Sequence, residues 1–202
     1  MTAPASRRTP LQNRSNETFQ AVLDGTSKLL ARLPFEQITT SRIAEESGIS
    51  VGALYRFFSD KQEIFDAIAV QELERFRTMV ESTLSARKLI FSPRKTLGQI
   101  IDTYIKFLDD RPHFRVLALG RHISDQTRQA QTDPNIGPSS LLQNLFVQKL
   151  GWKPSHKLEV KIRVASEAGD RLIAYAYKQP TTAERDAVLE ELKTMLQSYL
   201  LG

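Results

Sequence analysis

Cysteine is absent from all 202 residues, which excludes disulfides, thiolate nucleophiles and cysteine-ligated metal. Histidine occurs three times, at His113, His122 and His156. The spacing from His113 to His122 does not put two rings on one helix face at chelating distance, so no metal site is expected. Long apolar runs are missing as well, because Arg, Lys, Asp or Glu interrupts every stretch; no membrane span and no membrane partner are expected. The opening MTAPASRRTPLQNRSNET has no apolar segment behind its arginines and so does not read as a secretory signal. Cytoplasm is the default location. Phosphate-cradling glycine loops, an HExxH pair and a recognisable triad are also lacking, so the sequence reads as no enzyme and no cofactor is expected. No segment alternates with the period of a strand, and there is neither an internal repeat nor a low-complexity tract.

What is present is the composition of a soluble globule. Apolar residues make up 41% and charged residues 25%, enough to build a real core. Lys and Arg total 28 against 23 Asp and Glu, a net charge of +5, so any basic surface must be local. Residues 1–13 are rich in Pro, Ser, Thr and Arg and read as a disordered basic tail, either solvated or laid against a polyanion. The remainder reads as all-α, about nine helices. Phe19, Val22, Leu23, Thr26, Leu29, Leu30 and Leu33 recur at helical spacing over 15–33, and Pro34 ends that helix. Short helices are expected over 41–47 and 51–57. A longer one should start at Ser59, with Ser59 and Gln62 as a capping box, and run to about Leu84. Further helices are expected from Ser92-Pro93, from Arg111-Pro112 to near Thr127, over 139–150 and over 155–177. A loop at 132–138 separates two of them. The last helix begins with a capping box of Thr181 and Glu184.

The informative stretch is TTSRIAEESGISVGALYRFF, Thr39 to Phe58. Two short helices joined by a tight turn must cross steeply. Ala44 is small where the second helix crosses, and Gly48 can take the positive φ of the turn. Ile43, Ile49 and Leu54 plug the angle, while Ser50 caps the second helix. That pattern is a helix-turn-helix over roughly 40–59, and it points to double-stranded DNA. Val51, Gly52 and Ala53 let the second helix approach base edges in a major groove. Thr40, Tyr55, Arg56 and Lys61 are candidate phosphate contacts, helped by the helix dipole, and Ser50 is counted with the DNA-binding residues as the cap of their helix. Arg42 could reach a phosphate or a guanine, or simply pair with Glu45 or Glu46.

On these residues the sequence resembles the TetR family of bacterial transcriptional regulators. Agreement runs from about Arg14 to Phe76 and is strongest over ITTSRIAEESGISVGALYRFFSDKQEIFDAI, Ile38 to Ile68. The pattern includes Thr40, Ile43-Ala44, Gly48, Gly52-Ala53, Leu54-Tyr55, Phe58 and Lys61; Phe57 stands where the family usually has His or Tyr. The resemblance implies a DNA-binding domain at 14–60. It also implies a helical effector-binding and dimerisation domain at 61–202, and a repressor released from a pseudo-palindromic operator by a small molecule. The homodimer would form through the last two helices. Ala165, Ala168, Gly169, Ala174 and Ala176 on one, and Val188, Leu189, Leu192, Met195, Leu196, Tyr199 and Leu200 on the other, are its candidate seam. The effector is unknown. Tyr104, Phe107, His113, Arg121, His122, Phe146, Trp152 and Tyr175 are candidates to line its pocket, each also readable as ordinary core or rim. An effector-independent regulator or an architectural DNA-binding protein is the alternative, and would have a filled interior in place of a pocket.

Overall fold

A computed structural model describes residues 10–86, 92–131, 143–149 and 151–202. Among them all regular structure is helical: α1 (Pro10–Arg32), a 3-10 turn (Phe35–Gln37), α2 (Thr40–Glu46), α3 (Val51–Leu54), α4 (Lys61–Ala86), α5 (Pro93–Asp109), α6 (Pro112–Leu119), α7 (Asp125–Gln131), a π-helical segment (Leu145–Lys149), α8 (His156–Ala176) and α9 (Thr182–Leu201). None of the described helices is long and apolar enough to cross a membrane. No cluster of His and carboxylates among the described residues could hold a metal ion.

α1, α2 and α3 wrap one end of the core. Leu23 and Leu30 from α1 meet Ile38, Ile43, Ala44, Leu54 and Phe58, all essentially inaccessible. The Phe19 and Phe58 rings stack at 5.0 Å. Gly25 has a specific reason to be glycine. A Cβ there would stand 2.5 Å from Ser47 Oγ and 3.2 Å from its backbone nitrogen, so α1 touches the end of α2 backbone to backbone. α1 also packs along α6, and α4 crosses α1, α5 and α6. It therefore joins the two regions. α8 and α9 pair along their lengths, with α5 against α9.

Several boundaries differ from the sequence reading. α1 begins at Pro10, since proline is tolerated in a first helical turn and nothing after it breaks the helix. The expected tail thus ends before residue 10, and residues 1–9 lie outside those described. The start of α4 is capped one residue later than expected. Asp60 Oδ1 accepts from the Glu63 N–H at 3.0 Å, and Glu63 Oε2 reaches back to the Ser59 N–H at 2.7 Å. Carboxylates thus perform the reciprocal capping expected of Ser59 and Gln62, and Gln62 is free to work elsewhere. The helix expected from Arg111 to near Thr127 is two helices. His122 N donates to Leu117 O at 3.0 Å, and Arg121 sits at φ 59°; this is a Schellman end with a non-glycine residue in the left-handed position. α8 and the Thr181 cap of α9, which accepts from Glu184 N, stand where expected. The expected loop at 132–138 lies outside the described residues. Of the helix expected over 139–150, only 143–149 is described.

Candidate nucleic-acid interface and ligand cavity

The turn between α2 and α3 is built by the backbone. Gly48, at φ +68°, lets its N–H reach Glu45 O at 3.1 Å and the Ile49 N–H reach Ala44 O at 3.0 Å. Both bonds of a Schellman motif are therefore made, and the chain turns sharply into α3. Thr39 caps α2 and Ser50 caps α3 by accepting from the Ala53 N–H at 3.1 Å. α3 is four residues long rather than the seven expected, because 55–57 continue as turns. Its dipole is correspondingly small, so approach to DNA rests on side chains and shape more than on the helix end.

The outward surface of this unit gathers most of the expected contacts. Val51, Gly52, Tyr55 and Arg56 are exposed, and the Tyr55 hydroxyl lies 3.4 Å from Thr40 Oγ1. Two hydroxyls from successive helices thus share one patch. Ala53 is half-buried beside them. Gly52 has open space where a Cβ would stand, with nothing of its own subunit within 4 Å. Nothing inside the chain requires glycine there, although glycine weakens a helix by about 1 kcal/mol. Arg42 pairs with neither Glu45 nor Glu46. It donates to Gln37 O at 3.1 Å and to Gln37 Oε1 at 3.4 Å, while Glu46 is held by Arg32. Lys61 is half-buried, donates to Ile38 O at 3.3 Å and lies 5.6 Å from the Phe35 ring centre. It therefore braces the 3-10 turn against α4 with one of its three protons.

Behind this unit lies the segment joining α6 to α7. The His122 ring stacks on Phe35 at 3.4 Å with a 10° tilt. Its carbonyl accepts from Gln62 Nε2 at 2.8 Å, and the Ser124 N–H donates to Asp66 Oδ1 at 2.9 Å. Burial alone would raise the Asp66 carboxyl, but the hydrogen bonds from Ser124 outweigh it and hold the group below the usual range. Burial lowers the His122 ring, with Glu36 opposing and Lys61 reinforcing the effect.

Deeper in the helical domain is a cavity of about 170 Å³. Its walls are mostly apolar, with Leu73 and Phe76 from α4, Ile101 from α5, Phe114 from α6, Ile173 from α8 and Leu196 from α9. Four polar side chains interrupt them: Tyr104, Arg128, Ser166 and Asp170. Of the eight residues expected to line a pocket, Tyr104 lines this cavity, and His122 lines a second, separate pocket with Arg115, Tyr177 and Arg185. Phe107 is a core residue between Phe76 and Phe114. His113 bonds Glu72 at 3.2 Å. Arg121 is exposed at the left-handed turn, and His122 belongs to the segment joining α6 to α7. Phe146 and Trp152 pack on each other at 4.7 Å, and Tyr175 is 55% exposed on the outside of α8. Arg128, Ser166 and Asp170 were missed. In sequence they look like any solvent-facing polar residue, and only the packing of α7 and α8 shows where they point.

The expected seam divides in the same way. Ala165, Gly169, Ala176, Leu189, Leu192, Leu196 and Leu200 are buried within the subunit, while Ala168, Ala174 and Val188 are half-buried. The outward apolar residues are Val160, Val164 and Tyr175 on α8 and Met195 and Tyr199 on α9, each at least 41% exposed.

With this geometry in place, the comparisons with known proteins agree. Residues 22–68 match the family model for bacterial regulatory proteins of the tetR family. Residues 92–202 match that for the tetracyclin repressor-like C-terminal domain. The nucleoid occlusion factor SlmA of Glaesserella parasuis is 30% identical over 77 residues, 38% of this chain and 36% of that protein. The HTH-type transcriptional repressor AcnR of Corynebacterium efficiens is 26% identical over 115 residues, 57% and 52% of the two chains. The chain thus spans between about a third and a half of the length of these curated relatives. A TetR-family regulator from Streptomyces coelicolor superposes with a TM-score of 0.72 at 24% identity, over 91% of this chain and 97% of that one. FadR from Bacillus subtilis, solved in complex with stearoyl-CoA, gives 0.60 at 17% identity, over 87% and 98%. Both structures share the fold. A helix-turn-helix at one end, a hollow helical domain at the other and family models matching both place this chain in the TetR family of bacterial regulatory proteins.

Proposed function

We propose that the protein is a transcriptional regulator that binds a pseudo-palindromic DNA operator as a homodimer and is released by a small molecule. The observation that carries the ligand-responsive part is the cavity, bounded by α4 and by the α6–α7 segment that also holds the DNA-binding end. A regulator without an effector would have that space filled. A neighbour of the same fold is solved with stearoyl-CoA bound, so the architecture accommodates small-molecule ligands. Dimerisation rests on the outward stripe of Val160, Val164, Tyr175, Met195 and Tyr199, since a two-fold operator requires a two-fold protein. In DNA binding, Thr40, Tyr55, Arg56 and Lys61 take phosphates, Val51, Gly52 and Ala53 face base edges, and Ser50 holds the helix that carries them.

The test is selection of bound duplexes from a random pool. An inverted repeat should emerge, and affinity for it should fall linearly with the logarithm of salt concentration as phosphate neutralisation releases counterions. A pool with no enriched inverted repeat overturns the reading.

A further inference from the structure

The cavity wall carries a charge that no described residue engages by hydrogen bond or ion pair, the carboxylate of Asp170 on α8. Asp170 is exposed by surface area, and it is part of the cavity wall. Its charged surroundings are few. Glu167 on its own helix repels it, Arg128 on α7 attracts it from beyond ion-pair distance, and its charge also bears on Tyr104 of α5. α4, α6 and α9 turn only apolar side chains toward the same space.

Arg128, the other charge in the wall, is differently placed. It donates to Ile123 O at 3.2 Å and lies 4.0 Å from Asp125, so its charge is partly answered from outside the cavity. Its Nε is buried with no acceptor, and that N–H can serve a neutral oxygen. An apolar chamber with an unanswered carboxylate, a spare N–H and two hydroxyls, Ser166 and Tyr104, selects a particular chemistry.

We infer that the cavity takes a lipophilic cation: an apolar, ring- or chain-bearing body with a protonated nitrogen seated at Asp170. This rests on the cavity being the ligand site. A carboxylate without a partner beside apolar walls attracts an incoming cation more strongly than it would in open water, while the cation's body replaces water on those walls. Burial, with Glu167, pushes the Asp170 carboxyl up to about 6. The group is therefore mostly charged near neutral pH and becomes neutral as pH falls through that value.

Three size-matched probes test this: phenylbutylamine, phenylbutanol and phenylbutyrate, titrated against the full-length protein by calorimetry. The amine should bind on the order of tenfold tighter than the alcohol, and the acid should bind weakest. Lowering the pH from about 7.5 to about 5 should erase the preference of amine over alcohol, since Asp170 then takes up a proton. Asp170→Asn keeps the shape and should erase that preference at both pH values. Alcohol binding equal to or tighter than amine binding overturns the cation assignment and leaves the cavity as a ligand site. Tightest binding of the acid makes Arg128 the anchor and overturns it too. Saturable binding by none of the three at millimolar concentration removes the cavity as a ligand site altogether.

Discussion

At single positions, the most telling residue is Gly52, because its surroundings are empty. A Cβ there meets nothing within 4 Å. Gly52→Ala should therefore raise stability by up to about 1 kcal/mol through helix propensity. Gly52→Leu should leave the fold intact and abolish operator binding, because only an external surface is obstructed. Thermal melts and binding isotherms on the same two variants separate these effects; a Gly52→Leu protein with full operator affinity would show that base edges do not come close here. Gly25 is the opposite case. Ser47 stands 2.5 Å from its virtual Cβ, so Gly25→Ala should cost about 1–3 kcal/mol by overpacking. Gly52 was legible in sequence as a small residue on the second helix, whereas nothing marked Gly25, since its requirement lies in what the chain brings near it. Gly48, by contrast, was legible, because a turn between two short helices needs positive φ whatever the tertiary context. Tyr55→Phe removes a hydroxyl paired with Thr40. It should weaken all duplexes alike by about 1 kcal/mol, without altering base preference.

Elements were legible where local chemistry decides them and illegible where packing does. The caps at Thr39, Ser50, Ser155 and Thr181 each accept a backbone N–H. Their signature lies within four residues of sequence. The break between α6 and α7 was hidden, since an arginine takes the left-handed position that glycine normally marks. The cavity lining was hidden for another reason. Aromatic residues suggested a pocket, yet Phe107 and Phe146 fill core, while an ordinary-looking Asp170 faces the chamber. Between elements, the strongest polar device is Glu72 on α4, 2% exposed, gripped by Arg75 at 2.5 Å, Arg111 at 3.0 Å and His113 at 3.2 Å. Burial would raise its carboxyl, but the His113 hydrogen bond and the charges of Arg75 and Arg111 outweigh that and hold it below 4.5. A depressed folded value means that the stabilisation is complete above about 4.5 and is lost as pH falls through the lower folded value. Wild-type protein should lose stability on acidification in that window, and Glu72→Gln should lose less over the same interval. Parallel acid slopes in chemical denaturation would show that the cluster contributes no linkage.

For the molecule as a whole, the inward and outward faces of α8 and α9 have different tasks. Leu192 and Leu196 are buried against the cavity wall, so a charge there should unfold the subunit, at a cost of several kcal/mol, on the order of 3–5. Met195 and Tyr199 lie on the outside of the same helix. Met195→Glu with Tyr199→Glu should give a folded monomer by sedimentation, with helical content unchanged and operator affinity lost. A double variant that remains dimeric would move the seam elsewhere.

For the ligand response proposed above, one route between the two ends is the short segment joining α6 to α7. Arg128, in the cavity wall, donates to the Ile123 carbonyl, and Ile123 itself lines the cavity. The residue before it, His122, stacks on Phe35 of the DNA-binding end and accepts from Gln62; the residue after it, Ser124, donates to Asp66. A ligand that moves Arg128 therefore pulls on a segment fixed to both the 3-10 turn and the first turns of α4. Because successive major-groove sites on one face of B-DNA lie about 34 Å apart, a displacement of a few ångströms at each recognition helix spoils the fit of both. The ligand must prefer the conformation that does not fit DNA. Coupling of about 1–3 kcal/mol gives release of roughly 5- to 150-fold, and operator must weaken the ligand by the same factor. His122→Ala removes the stack on Phe35 and Gln62→Ala removes the bond to the His122 carbonyl, two of the three attachments, without touching the cavity or the DNA-facing patch. Each should leave ligand affinity and operator affinity near wild type when measured separately, and should reduce the factor that links them. The measurement is the ligand dissociation constant with and without saturating operator, for wild type and both variants. An unchanged ratio in both variants would show that neither attachment carries the signal, and would leave it to the Ser124–Asp66 bond or to the packing of α1 on α6.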